Sequence, residues 1–206
     1  MKHLRRVFAA LMILFAAHAV AAPGDPEYTV LQPAQPTNSG NKIEVLEFFF
    51  YGCIHCFHLH PKLSEWQKTM PKDVKLDFVP TVFNPNWEPM AYTYYALKAM
   101  GQLRQLDDKL YNAWNRENAI LVSKDDIADF VAKQGVDRQT FLNNFDSFSV
   151  RSDVQRSKQM VVQYHISGTP TLVVEGKYVI SGLEPEDTIR VLNEVIKKVR
   201  KERGRG

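Results

Sequence analysis

Nine residues, 43–51, constrain this chain more than any other segment. Alternate positions form two faces, Ile43/Val45/Glu47/Phe49 and Leu46/Phe48/Phe50, and both are mostly apolar. Successive side chains of a strand point to opposite sides, so this run belongs at the centre of a sheet covered on both faces, in an α/β fold. Gly52 ends the strand, and Cys53-Ile54-His55-Cys56 follows it. A helix is predicted to open at Cys53 and to run through Leu63 and Trp66. Pro61 falls inside it and should kink or interrupt it.

A second strand is predicted over residues 74–82, then a loop punctuated by Pro85 and Pro89. From there to about Tyr164 the pattern is helical. Leu103, Leu106, Leu110 and Trp114 share one face at spacings of three and four. Ser123-x-x-Asp126 has the form of a capping box, and Asp137 is placed to cap a helix over residues 141–145. Gly101 and Gly135 are placed to end helices. Val150, Val154, Val161 and Val162 mark a longer last helix. Strand periodicity returns in residues 171–174 and 178–180, with Glu175-Gly176-Lys177 as a hairpin turn. A helix from about Pro185, with proline in its first turn, closes the chain. The order is βαβ, a helical block, then ββα. Ahead of it lie an extended proline-rich lead, residues 23–36, and a turn at Ser39-Gly40-Asn41.

At 206 residues the chain fits one domain and buries a core without disulfide staples. Lys2, Arg5 and Arg6 precede an apolar stretch, residues 7–17, and two small-x-small sites end at Ala19 and Ala21. Residues 1–21 therefore read as a secretory signal removed on export; the alternative is an uncleaved anchor. The apolar stretch is shorter than the roughly 18 residues a span needs. Without Lys2, Arg5 and Arg6 the formal charge of +3 becomes near neutral. The basic residues of the tail, 197–205, read as a solvated helix end, and nothing marks a nucleic-acid footprint.

The chain has only two cysteines, and two residues separate them. Closing so short a loop gains little chain entropy, so the pair suits switching better than stapling. A helix start carries unpartnered N–H groups and partial positive charge. Cys53 placed there is held as thiolate, and a protonated His55 adds a cation nearby. Each unit of lowering stabilises the thiolate by about 1.36 kcal/mol, which makes the disulfide oxidising and Cys53 a good leaving group. Cys53 should be the exposed sulfur and Cys56 the buried one. An inert disulfide and a metal site are the competing readings. Cys53, His55, Cys56, His58 and His60 are five possible ligands, but one helix cannot aim them all at one ion. Glu47 lies six positions before Cys53. Buried, it would have a raised pKa and relay protons to Cys56; alternatively it escapes at a strand edge.

The segment from Val45 through Glu47 and Gly52 to Cys56 resembles the active-site region of the DsbA family of periplasmic dithiol oxidases. Gly168-Thr169-Pro170-Thr171 is similar to that family's cis-proline loop, and Gly176-Lys177-Tyr178 to its hairpin. The resemblance spans essentially the whole chain after the signal. It implies a thioredoxin-like fold, residues 23–84 and 160–206, with an inserted helical domain, residues 85–159. It further implies Cys53 as nucleophile, Cys56 as its resolving partner, His55 as a stabiliser of the thiolate, and Glu47 as the buried acid. Pro170 would be cis and would set Thr169 against substrate backbone. The redox-active disulfide Cys53–Cys56 is then the only cofactor, folding exported proteins with free thiols are the substrates, and a DsbB-like membrane oxidase is the partner for reoxidation.

Two departures stand out. Ile54 follows Cys53 where proline is common, and no lysine lies inward near residues 76–79 to pair with Glu47. The nearest rival is a reductase or isomerase on the same core. Exported isomerases that resemble the family carry a dimerisation module ahead of the core, for which the lead before Ile43 has no room, and the expectation is a monomer. A metal-binding or chaperone module and a membrane-tethered reductant are the remaining alternatives.

Overall fold

The computed structural model describes residues 27–119 and 121–204; residues 1–21, read above as a signal, lie outside them. Its centre is β2, Ile43–Phe49, with all seven residues buried. β3, Val74–Pro80, runs parallel to β2, with Glu47 opposite Phe78. A parallel pair needs a crossover, and α1, Ile54–Thr69, supplies it. β4, Thr171–Val174, lies antiparallel on the other side of β2, with Phe48 opposite Thr171. β5, Tyr178–Ser181, and a two-residue β1, Thr29–Val30, complete the order β1-β5-β4-β2-β3.

Between β3 and β4 come α2, Glu88–Ala99, α3, Leu103–Asn115, α4, Lys124–Lys133, α5, Arg138–Phe145, and α6, Phe148–Gln163. The last helix, α7, is Pro185–Glu202. One face of the sheet buries Ile43, Val45, Leu172 and Ile180 against Leu59 and Leu63 of α1 and Val191 and Val195 of α7. The other buries Leu46, Phe48 and Val173 against Tyr164 and Ile166, at and after the end of α6. The thioredoxin-like α/β architecture inferred from the sequence is the one observed, with helices α2–α6 inserted in the chain between β3 and β4. Among the described residues no helix is long and apolar enough to cross a membrane.

The caps read from the sequence form. The Asp126 N–H donates to Ser123 Oγ at 3.1 Å, and the Thr140 N–H to Asp137 Oδ1 at 2.7 Å. Four details differ. β2 stops at Phe49, not Tyr51, because the chain must turn into α1: the Cys53 N–H bonds the Phe50 carbonyl at 3.0 Å. Phe50 and Tyr51 stay buried but pack against the inserted helices and the turn before them. β3 ends at Pro80, opposite the last residue of β2, after one further bond from the Thr81 N–H to the Phe49 carbonyl at 2.7 Å. α1 runs uninterrupted through Pro61, held on both sides of the proline by buried Leu59, Leu63 and Trp66. The lead is docked rather than merely draped. Beyond β1, the Leu31 N–H donates to the Lys177 carbonyl at 2.7 Å and the Gln35 N–H to that of Gly176 at 2.8 Å.

Gly176 has φ +62°, and a Cβ there would lie 2.1 Å from the Gln35 carbonyl oxygen. Gly176→Ala is therefore expected to destabilise the protein by about 1–3 kcal/mol. Urea unfolding checks this: the midpoint falls with the slope unchanged, whereas an unmoved midpoint would mean that the lead is not docked at this turn.

Candidate active site

Cys53 is the N-cap residue of α1, with extended backbone (φ −85°, ψ 117°), and its sulfur takes the role a serine oxygen usually fills. Sγ accepts a hydrogen bond from the Cys56 N–H at 3.5 Å. The two cysteines are free thiols, Cys53 half-buried and Cys56 fully buried. The difference follows from helix geometry: Cys53 lies at the mouth of α1, and Cys56, one turn in, faces the sheet. Gly52 is required by close approach, since a Cβ there would lie 2.5 Å from the Phe50 ring and 2.9 Å from Trp114.

The pairing of Phe48 with Thr171 brings the loop before β4 alongside the end of β2. Thr169 and Pro170, joined by a cis peptide bond, consequently face Cys53, whose Sγ is 3.2 Å from the Thr169 carbonyl oxygen. The loop is braced by the Thr171 hydroxyl, which donates to the Gly168 carbonyl at 2.8 Å.

The Cys53 thiol is lowered to about 5. The largest cause is the proton that Cys56 donates to its sulfur; the Thr169 side chain and the N–H groups of Cys56 and His55 add to it, and burial opposes. His55 acts here through its backbone, while its side chain is exposed. Cys56 is driven strongly the other way, by burial first and then by the hydrogen bond to Cys53 and the nearby Glu47 charge. The two sulfurs therefore differ in kind, one an anion at neutral pH and the other a thiol.

Glu47 is 1% exposed, which removes the strand-edge alternative. Burial, with Asp107 and Cys53 as further causes, raises it to about 8, and its Oε1 has no hydrogen-bond partner. Its neighbour on β3 is Phe78; Lys75 is opposite Glu44 and pairs with Asp77 at 2.6 Å. The absence of an inward lysine read from the sequence therefore holds on β3. His58 is exposed, and His60 turns away to α3, with Nε2 2.7 Å from Asp108 Oδ1. Among the described residues no group of three or more His, Cys, Asp or Glu side chains is gathered to hold a metal ion.

The sequence reading missed Asp107 and Tyr51. The Tyr51 hydroxyl donates to Asp107 Oδ1 at 2.5 Å, behind the cysteines. A signal existed: Asp107 falls four residues after Leu103 and three before Leu110, on the face of α3 that faces the core.

A dithiol at a helix start beside a cis-proline loop defines a thioredoxin-class redox site. Residues 44–192 match the family model described as a DSBA-like thioredoxin domain. The thiol:disulfide interchange protein DsbA of Bordetella parapertussis is 39% identical over 189 residues, covering 90% of each chain. The DsbA of Pseudomonas aeruginosa is 30% identical over 202 residues, 94% of this chain and 96% of that one. A crystal structure of Pseudomonas aeruginosa DsbA superposes with a TM-score of 0.83 at 31% identity, over 87% of this chain and 95% of that one. The oxidoreductase DsbA of Xylella fastidiosa gives 0.79 at 30% identity, over 84% and 95%. The chain belongs to the DsbA-like thioredoxin family and is a thiol–disulfide oxidoreductase.

Thiolate absorbance of the reduced protein across pH is expected to show Cys53 titrating near 5, with no second ionisation from Cys56 up to pH 10. The sign for stability follows. A depressed thiol pKa stabilises the folded dithiol fully above the unfolded value of 9.0, and that contribution is lost as pH falls through about 5. A Cys53 midpoint near 9 would refute the site's electrostatics.

Proposed function

We propose that the protein is an exported dithiol oxidase that passes its Cys53–Cys56 disulfide to folding proteins in the periplasm. The observation that carries the reading is the Cys53 sulfur, half-exposed and stabilised as an anion at the mouth of α1. Stabilising that thiolate favours the reduced pair, so the disulfide is readily given up. A reductase on the same core needs the opposite bias.

A substrate thiolate attacks Cys53 of the oxidised pair, forming a mixed disulfide, and Cys56 leaves as a thiolate that takes a proton from Glu47. A second substrate thiolate attacks the substrate sulfur, releasing oxidised substrate and the Cys53 thiolate. Two electrons have passed from substrate to enzyme. Reoxidation returns them to a disulfide of a DsbB-like membrane partner: Cys53 attacks it, Cys56 gives its proton to Glu47, and Cys56 then expels the partner thiolate. Thr169, ahead of cis Pro170, pairs with extended substrate backbone beside the reacting sulfurs. His55, when protonated, steadies the thiolate through its imidazolium. The chain works as a monomer with no cofactor beyond its cysteine pair, and the N-terminal signal directs it to the periplasm.

The oxidised protein is expected to convert a reduced dithiol peptide to its disulfide with one equivalent of product per Cys53–Cys56 pair. Cys53→Ser abolishes this, and Cys56→Ser given oxidised glutathione accumulates a mixed disulfide on Cys53 with release of one glutathione thiol, visible by mass spectrometry. Product formation by Cys53→Ser would sink the proposal. His55→Ala is expected to raise the Cys53 midpoint by about one unit, read from thiolate absorbance; no change would remove the imidazole from the mechanism.

A further inference from the structure

Glu47 is sealed inside the protein, so any proton it exchanges with Cys56 needs a way to and from solvent. A second carboxyl lies toward the surface on this side: Phe78, opposite Glu47 on β3, lines an open cleft together with Asp107. Asp107, on α3, keeps 26% of its side chain exposed and lines that cleft with Lys68 of α1 and Arg104 of α3. On its inner side Oδ1 accepts the Tyr51 hydroxyl at 2.5 Å. On its outer side Oδ2 lies 3.9 Å from His60 Nε2, which is 2.7 Å from the well-exposed Asp108. The Tyr111 ring packs between these parts, 4.8 Å from the Tyr51 ring and 4.4 Å from the His60 ring, centroid to centroid. Tyr94 of α2 and Tyr111 sense both Asp107 and Glu47, as Tyr51 does; Cys56 senses Glu47, and Cys53 in turn acts on Glu47.

Two carboxyl groups in one low-dielectric region resist ionising together, so the first to ionise holds the proton on the other. The contacts decide which is first. Burial raises Asp107 above its ordinary value, but the Tyr51 hydroxyl and the His60 imidazole both favour its anion, whereas Glu47, raised to about 8 by burial first, has no partner for its Oε1.

Resting on the reading of Glu47 as the acid and base for Cys56, we propose that Asp107 is the positioning residue that keeps Glu47 protonated, and that Asp107 with His60 forms the route by which that proton exchanges with solvent. When Cys56 leaves as a thiolate it takes the Glu47 proton. The resulting Glu47 carboxylate is reprotonated from solvent through the imidazole and the aspartate, so no net charge stays buried. In reoxidation Glu47 first loses its proton outward by the same route, and the carboxylate so formed then accepts the proton of Cys56.

The test is single-turnover oxidation of a reduced dithiol peptide by the oxidised protein, in which Cys53 is not free to titrate, followed by stopped flow from pH 5 to 9. The wild-type rate falls as Glu47 loses its proton. In Asp107→Asn that limb is expected to move down by about one pH unit or more. Tyr51→Phe, which keeps both carboxyls but removes a donor from Asp107, moves it the same way by less. Glu47→Gln abolishes the limb. A limb unmoved in Asp107→Asn, with wild-type circular dichroism and melting, overturns the inference while leaving the Glu47 role intact. Should Asp107→Asn not fold, an unmoved limb in Tyr51→Phe overturns it equally. A limb that persists in Glu47→Gln overturns both this inference and the Glu47 role beneath it. A purely structural part for Asp107 would change stability without shifting the limb.

Discussion

A sulfur atom capping a helix is the interaction on which the rest of the site depends. Cys53 closes the start of α1 in place of an oxygen, and the donors that a helix start leaves unpartnered converge on Sγ. An alcohol in that position would only cap. A thiol there becomes an anion, because the same donors favour charge and because Cys56 adds its own proton to the set. The cap and the reactivity are one arrangement seen from two sides.

The sheet makes that arrangement rigid. β2 is buried along its whole length, and the register of β4 against it delivers Thr169 and Pro170 to the sulfur. The inserted helices close the opposite side, where Phe50 stacks on Trp87 at 3.9 Å and Tyr51 reaches Asp107. The insertion therefore does more than enlarge the protein: it brings a second, partly buried carboxyl to the redox centre. With Phe78 beside Glu47 on β3, the charges that influence this glutamate are those of Asp107 on α3 and of Cys53.

Much of this was legible in the sequence for identifiable reasons. Residues 43–49 alternate apolar side chains on both faces, which fixes a central strand, and the Cys-x-x-Cys after Gly52 fixes a helix start. Ser123, Asp137, Gly101 and Gly135 mark helix ends by local chemistry alone, and each stands at such an end. What escaped was non-local or too short to carry a period. β1 has two residues, and its pairing with β5 joins segments about 150 positions apart. Pro61 reads as a breaker, but tertiary packing on either side overrides one missing N–H. Glu47 was ambiguous because burial depends on partners outside its own strand. The Asp107–Tyr51 contact spans 56 positions and leaves only a polar residue on an apolar helix face as its trace.

The central claim is that a stabilised thiolate biases the cysteine pair toward its reduced form, and its most direct measurement is the redox equilibrium with glutathione followed from pH 4 to 8. Below its pKa the protein's couple and glutathione's take up the same number of protons, and their potentials run in parallel. Above it the protein's couple takes up one fewer, and the protein becomes steadily more oxidising relative to glutathione. The relative potential is expected to be flat up to about pH 5 and to rise beyond it. A relative potential that stays flat through pH 8 would contradict the claim, because the sulfur at the mouth of α1 would then be an ordinary thiol.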